Sequence, residues 1–140
     1  MILIVVFTVY CCLLLMLSFF KSAEVFLPAI YQFQEWLGGD KLMHLKLSII
    51  LSVLACFAAS DIKKNFPLKT VWRLLFIQLF LASCLLLDEA HQYLAVSRRF
   101  EWMDFYYGAG GLLIGLSIYC CFLGVKFAYR FMRKAGFKPE

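Results

Sequence analysis

The sequence predicts an all-α, polytopic membrane protein: four transmembrane helices in a bundle, with a short interfacial helix between the first and the second. Three observations predict it. Of the 140 residues, 64% are hydrophobic and 16% charged, with a mean hydropathy of +0.82, whereas a soluble domain is roughly half apolar. Four apolar runs, about 2–20, 42–59, 70–87 and 105–125, come close to the roughly 20 helical residues that cross a hydrocarbon core about 30 Å thick. Lysine and arginine gather in two places: Lys63, Lys64, Lys69 and Arg73 between the second and third runs, and Lys126, Arg130, Arg133, Lys134 and Lys138 in the tail 126–140. Short basic loops stay in the cytoplasm, so both termini are expected inside, and the 21–41 and 88–104 connections outside. Arg98 and Arg99 count against that orientation, but the acids around them offer them another role.

Taken in order, the first run has no basic leader, exceeds the usual apolar length of a signal peptide and lacks a small-x-small cleavage site, so it reads as a retained helix. With Thr8 and Ser18 as its aliphatic hydroxyls and no charge within 2–20, it is expected to serve packing and lipid contact, with no polar face aimed at a site. In the linker, Phe26, Leu27, Ile30, Phe33 and Leu37 recur at helical spacing against Gln32, Gln34 and Glu35, as in a helix lying at the membrane interface. Pro28 suits its first turn, Gly38-Gly39 its end, and Trp36 the headgroup level. Six cysteines, at 11, 12, 56, 84, 120 and 121, all lie within apolar runs, unlike disulfide frameworks or zinc sites, and read as small apolar fillers.

In the second span His44, Ser48, Ser52, Ala55 and Ala59 form one small and polar stripe, which should face the bundle because small residues let helices approach in lipid. Lys46 lies off that stripe and is expected to snorkel outward. In the third, Gln78, Ala82, Leu85, Glu89 and Gln92 fall on one face, with Asp88 on its flank and His91 pointing largely away. In the fourth, Asp104, Gly108, Gly111 and Gly115 share a line, and Gly111 to Gly115 is a GxxxG spacing that marks a close helix contact. Whether that contact lies within the chain or joins a homodimer is open from sequence. The single domain 1–140 leaves almost nothing for a soluble unit, and no nucleic-acid partner is indicated.

Charge concentrates at one end. The segment 88–104, DEAHQYLAVSRRFEWMD, joins the third and fourth spans, and Asp40, Lys41 and His44 open the second. Asp40 and Asp104 stand where an acid caps a helix start and meets the positive end of its dipole. Asp88 and Glu89 sit at a helix C-terminus, where the dipole gives no help, so they must be protonated, paired or metal-bound. One reading is a structural lock with Lys41, Arg98 or Arg99. The other is a functional pocket. No HExxH, CxxC, GxSxG or P-loop pattern specifies its chemistry.

The order of these motifs resembles the VanZ-like family of small bacterial membrane proteins. That family's pattern is approximately Asp-Lys-x-x-His, then Asp-Glu-x-x-Gln, an Arg six residues on, an Asp, an Asn four later and spaced glycines. Here those positions are Asp40, Lys41 and His44, then Asp88, Glu89 and Gln92, then Arg98 and Asp104, with Gly111 and Gly115. Gly108 stands where the family has Asn, and Val96-Ser97 where a Pro-Gly is common. The resemblance covers about 40–115. It implies a multi-pass protein of the bacterial inner membrane, in a family named for resistance to the glycopeptide teicoplanin and mostly without assigned activity.

Three functions are therefore weighed. In the first, an outward polar pocket binds an anionic lipid or a lipid-linked wall precursor through Lys41, Gln92 and Arg98, with an effect on glycopeptide tolerance. In the second, an intramembrane hydrolase or transferase acts on a lipid headgroup, with Glu89 or His44 as base and Asp40, Asp88 and Asp104 as ligands of a divalent metal. A coupled transporter ranks last, since the span count is small and no span is broken. The pocket reading expects Asp40, His44, Glu89, Gln92, Arg98 and Asp104 to converge, with His91 outside.

Overall fold

The computed structural model describes residues 1–61, 67–92 and 100–134. Its elements are helices: α1 (Ile2–Ser22), α2 (Leu27–Trp36), α3 (Asp40–Asp61), α4 (Pro67–Gln92) and α5 (Trp102–Lys134). The chain is an all-α membrane protein in which α1, α3, α4 and α5 are each long and apolar enough to span a bilayer. Each span runs past its apolar stretch, because the flanking polar residues also adopt helical geometry. Asp40 and Lys41 thus belong to the first turn of α3, and Asp88 and Glu89 to the last turns of α4. At 1.5 Å per residue the 33 residues of α5 extend about 50 Å, well beyond a core of about 30 Å. The basic residues Lys126, Arg130, Arg133 and Lys134 occupy this extension, and the Lys126 ammonium lies 5.9 Å from the Phe122 ring centroid.

The short α2 is bounded by residues that permit its turns. Phe26 precedes it with a left-handed φ of 58° and Pro lies in its first turn. At the other end Gly38 and Gly39 take φ of 96° and 98°, and their N–H groups donate to Glu35 and Gln34 carbonyls at 2.9 and 2.8 Å. Glycine adopts such angles without a Cβ penalty. The chain thereby reverses into α3 within three residues. Of the apolar positions in α2 only Ile30 is buried, which fits a helix lying along the bundle's end rather than inside it.

Helix α3 is central, packing on α1, α4 and α5, and its contact with α5 is the most extensive. In lipid, helices associate by close packing and hydrogen bonds, since the hydrophobic effect does not distinguish a neighbouring helix from an acyl chain. The sequence meets this need with small residues: Ser48, Ser52, Ala55 and Ala59 of α3 are buried, and Ser48 and Ser52 face Gly108, Gly111 and Gly115 of α5. A Cβ on Gly111 would meet the Leu45 carbonyl oxygen and lie 2.8 Å from Ser48 Cβ, and one on Gly115 would lie 2.6 Å from Ser52 Cβ. The GxxxG face is therefore occupied by α3 within the chain.

A buried polar link ties three helices. The Ser52 hydroxyl lies 2.9 Å from the Leu112 carbonyl and 3.1 Å from Gln78 Oε1, and Gln78 Nε2 donates to Cys56 Sγ at 3.2 Å. Deeper toward the α5 extension, Cys56, Leu74 and Tyr119 form a cluster, with Phe57 edge-on to Tyr119 at 5.0 Å. The outer faces carry exposed Leu75, Phe76, Leu79, Phe80, Leu113 and Ile118, the apolar surface expected against lipid. All six cysteines are free.

Candidate functional site

The four spans bring one end each to a common level: the ends of α1 and α4 and the starts of α3 and α5. The register is fixed by the glycine contact. A Cβ on Gly108 of α5 would lie 3.1 Å from Leu85 Cδ1 of α4 and 3.4 Å from Ser48 Oγ of α3. One helical turn farther along each helix come Asp104, Glu89 and His44. Donor atoms of Asp40, His44 and Asp104 all lie within 4.8 Å of one another. Glu89 and Asp104 are 2% and 6% exposed, so both carboxyls are out of bulk water.

Charge near this cluster is arranged by two lysines. The Lys21 ammonium donates to Asp40 Oδ1 at 2.8 Å with only 12% of its side chain exposed, while Lys41 reaches Glu101 Oε2 at 3.4 Å and is 44% exposed. His44 Nε2 stands 3.9 Å from the same Asp40 oxygen. Both Asp40 and Asp104 lie in the first turn of their helices, where the dipole favours a negative charge. The inward row of α4 is also as expected: Gln78 and Glu89 are buried, Ala82 and Leu85 half-buried, Asp88 on the flank and His91 exposed. Lys46 leaves the bundle and donates to the Leu37 carbonyl at 2.7 Å.

The reading of α1 as lacking a polar face is corrected. Phe7, Tyr10, Cys11, Leu14, Leu17, Ser18 and Lys21 are the partly covered residues of one face. Tyr10 donates to the Leu47 carbonyl at 2.9 Å and Ser18 to Asp88 Oδ1 at 2.6 Å. Tyr10 and Ser18 already share this face within 2–20, and the continuation of the helix to Ser22 adds Lys21, three residues beyond Ser18 and seven beyond Leu14, on the same side. The spacing of Tyr10, Leu14, Ser18 and Lys21 is the signal in the sequence for this face.

Between α1, α3 and α4 lies a cavity of about 80 Å³, with room for several water molecules at about 10–15 Å³ each. Leu14, Leu17, Met43, Leu47 and Leu85 are its apolar lining, and Ser18, Lys21, His44, Ser48 and Asp88 its polar lining. His44 is shared between this cavity and the cluster with Asp40 and Asp104. Of the expected site residues, Asp40, His44 and Asp104 are together, Asp88 lines the cavity bonded to Ser18, and Lys41 turns to Glu101. Gln92 closes α4 but its side chain, like the whole of Arg98, lies outside the described residues.

No family model, curated protein or solved structure matches the chain.

Proposed function

We propose that this is a VanZ-like protein of the bacterial inner membrane, with both termini cytoplasmic, whose cavity takes the headgroup of an anionic lipid or a lipid-linked wall precursor. The observation that carries this reading is the cavity itself. Its leucine and methionine lining suits the start of an acyl or prenyl chain, and Lys21 is the lysine that lines it. A cation with little water around it binds a phosphate oxygen more strongly than an exposed one, which is screened. The anion contact is thus assigned to Lys21 ahead of Lys41. The order of Asp40, Lys41, His44, Asp88, Glu89, Gln92, Arg98 and Asp104 along the chain supports the family reading.

The test is lipid retention. Wild-type protein purified in mild detergent and measured by native mass spectrometry should carry anionic lipid, Lys21→Ala should lose at least fivefold of it, and Lys41→Ala should change little. Arg98→Ala is measured alongside, with teicoplanin susceptibility as the cellular readout. Unchanged retention in folded Lys21→Ala would remove the reading.

The Asp40–His44–Asp104 cluster favours a second reading, a hydrolase or transferase acting on the same headgroup with His44 or Glu89 as base. It requires turnover. Product from labelled envelope lipids that appears with wild type and disappears with His44→Ala would support it, and no product with either would end it.

A further inference from the structure

We propose that Asp40, His44 and Asp104 bind a divalent cation of the zinc or manganese class. Asp40 and His44 are four residues apart on α3 and so project from one face. Asp104 arrives from α5, held close by Gly108, Gly111 and Gly115. The three side chains come from two rigid helices locked by a glycine contact, the kind of support a metal site needs.

A second observation points to a ligand. Asp104 is 94% buried, and its Oδ1, shielded from solvent, has no hydrogen-bond partner among the described residues. An ionised carboxylate in that setting is costly unless a positive group meets it. Lys21 and Lys41 are bonded elsewhere, Lys21 to Asp40 and Lys41 to Glu101. The dipole of α5 is worth only about 0.3–1 kcal/mol at a typical helix start. A divalent ion would supply the missing partner of Asp104 and share Asp40 with Lys21.

The donor set selects the ion. Calcium and magnesium prefer shells made only of oxygen, and copper(I) prefers sulfur, whereas one imidazole with two carboxylates suits zinc or manganese. Bonds of about 2.0–2.2 Å put donors about 3.4 Å apart in a tetrahedral shell. From separations within 4.8 Å, the side chains need shifts on the order of 1 Å, which carboxylate rotation supplies. Three protein ligands leave a coordination position for water or a phosphate oxygen. Asp88 belongs to the cavity and not to this shell, and His44 replaces it in the set drawn from sequence.

The site is tested on full-length protein in detergent micelles, stripped with chelator and titrated separately with zinc and manganese. Wild type should bind one equivalent of at least one metal, measured by elemental analysis after desalting. Asp104→Asn and His44→Gln should each weaken binding at least tenfold, whereas Asp88→Asn and His91→Gln should not. Binding below about a fifth of an equivalent in wild type for both metals overturns the proposal, as does undiminished binding in folded Asp104→Asn. Should those variants fail to fold, wild type labelled with ¹⁵N-histidine decides. Zinc must shift the ring signals of His44 and leave those of His91, and the converse result rejects the site.

Discussion

Replacing Gly115 by alanine tests whether the α3–α5 contact is what the fold rests on. The added Cβ would lie 2.6 Å from Ser52 Cβ and 2.7 Å from the Ile49 carbonyl oxygen, against about 3.5–4.0 Å for an ordinary carbon contact. One of those obstacles is backbone and the other a Cβ, which no rotamer change moves, so the helices must separate by about 1 Å. Overpacking of this kind costs about 1–3 kcal/mol. The same chain supplies its own controls: a Cβ on Gly110 would lie 3.8 Å from Leu45 Cδ1, and one on Gly124 would meet nothing within 4 Å. The gain in helix propensity, about 1 kcal/mol for glycine to alanine, is common to all of these variants and cancels in comparison. Gly115→Ala and Gly111→Ala should therefore unfold about 1–3 kcal/mol more easily than Gly124→Ala and Gly110→Ala. Gly108→Ala should fall between, because its nearest obstacle is the flexible end of Leu85. The assay is reversible denaturation by SDS in mixed micelles, followed by helical circular dichroism. Equal stabilities for all five variants would refute the claim that α5 is seated on α3 through these glycines.

Two further outcomes are expected. Ser52→Ala should destabilise the protein by about 0.6 kcal/mol and at most about 1.7, the range for interhelical hydrogen bonds in lipid, and combining it with Gln78→Leu should cost less than the sum, read by the same SDS titration. In a cysteine-free background, Glu101→Cys should react with a membrane-impermeant maleimide added to intact cells, and Lys134→Cys only after permeabilisation; the reverse pattern would invert the proposed orientation.

The sequence by itself determined the class of the protein and the inward faces of its second, third and fourth spans. Length and apolarity decide spanning, because an unsatisfied backbone in hydrocarbon is too costly for anything but a helix or a closed barrel. Angular position on a helix decides burial, so the rows through Ser48 and Ser52, through Gln78 and Glu89, and through Gly111 and Gly115 could be read in advance. What periodicity does not carry is which residue on one helix meets which on another. Lys41 and Lys21 are both single lysines near helix ends, yet one faces water and the other closes on Asp40, a difference set by how far α1 extends and how it leans on α3. His44 joins Asp40 and Asp104 because three glycines bring α5 close enough to α3 to place Asp104 at the level of the first turn of α3, while Asp88 meets Ser18 of α1. That distance is a property of two packed surfaces, and only the tertiary structure decides it.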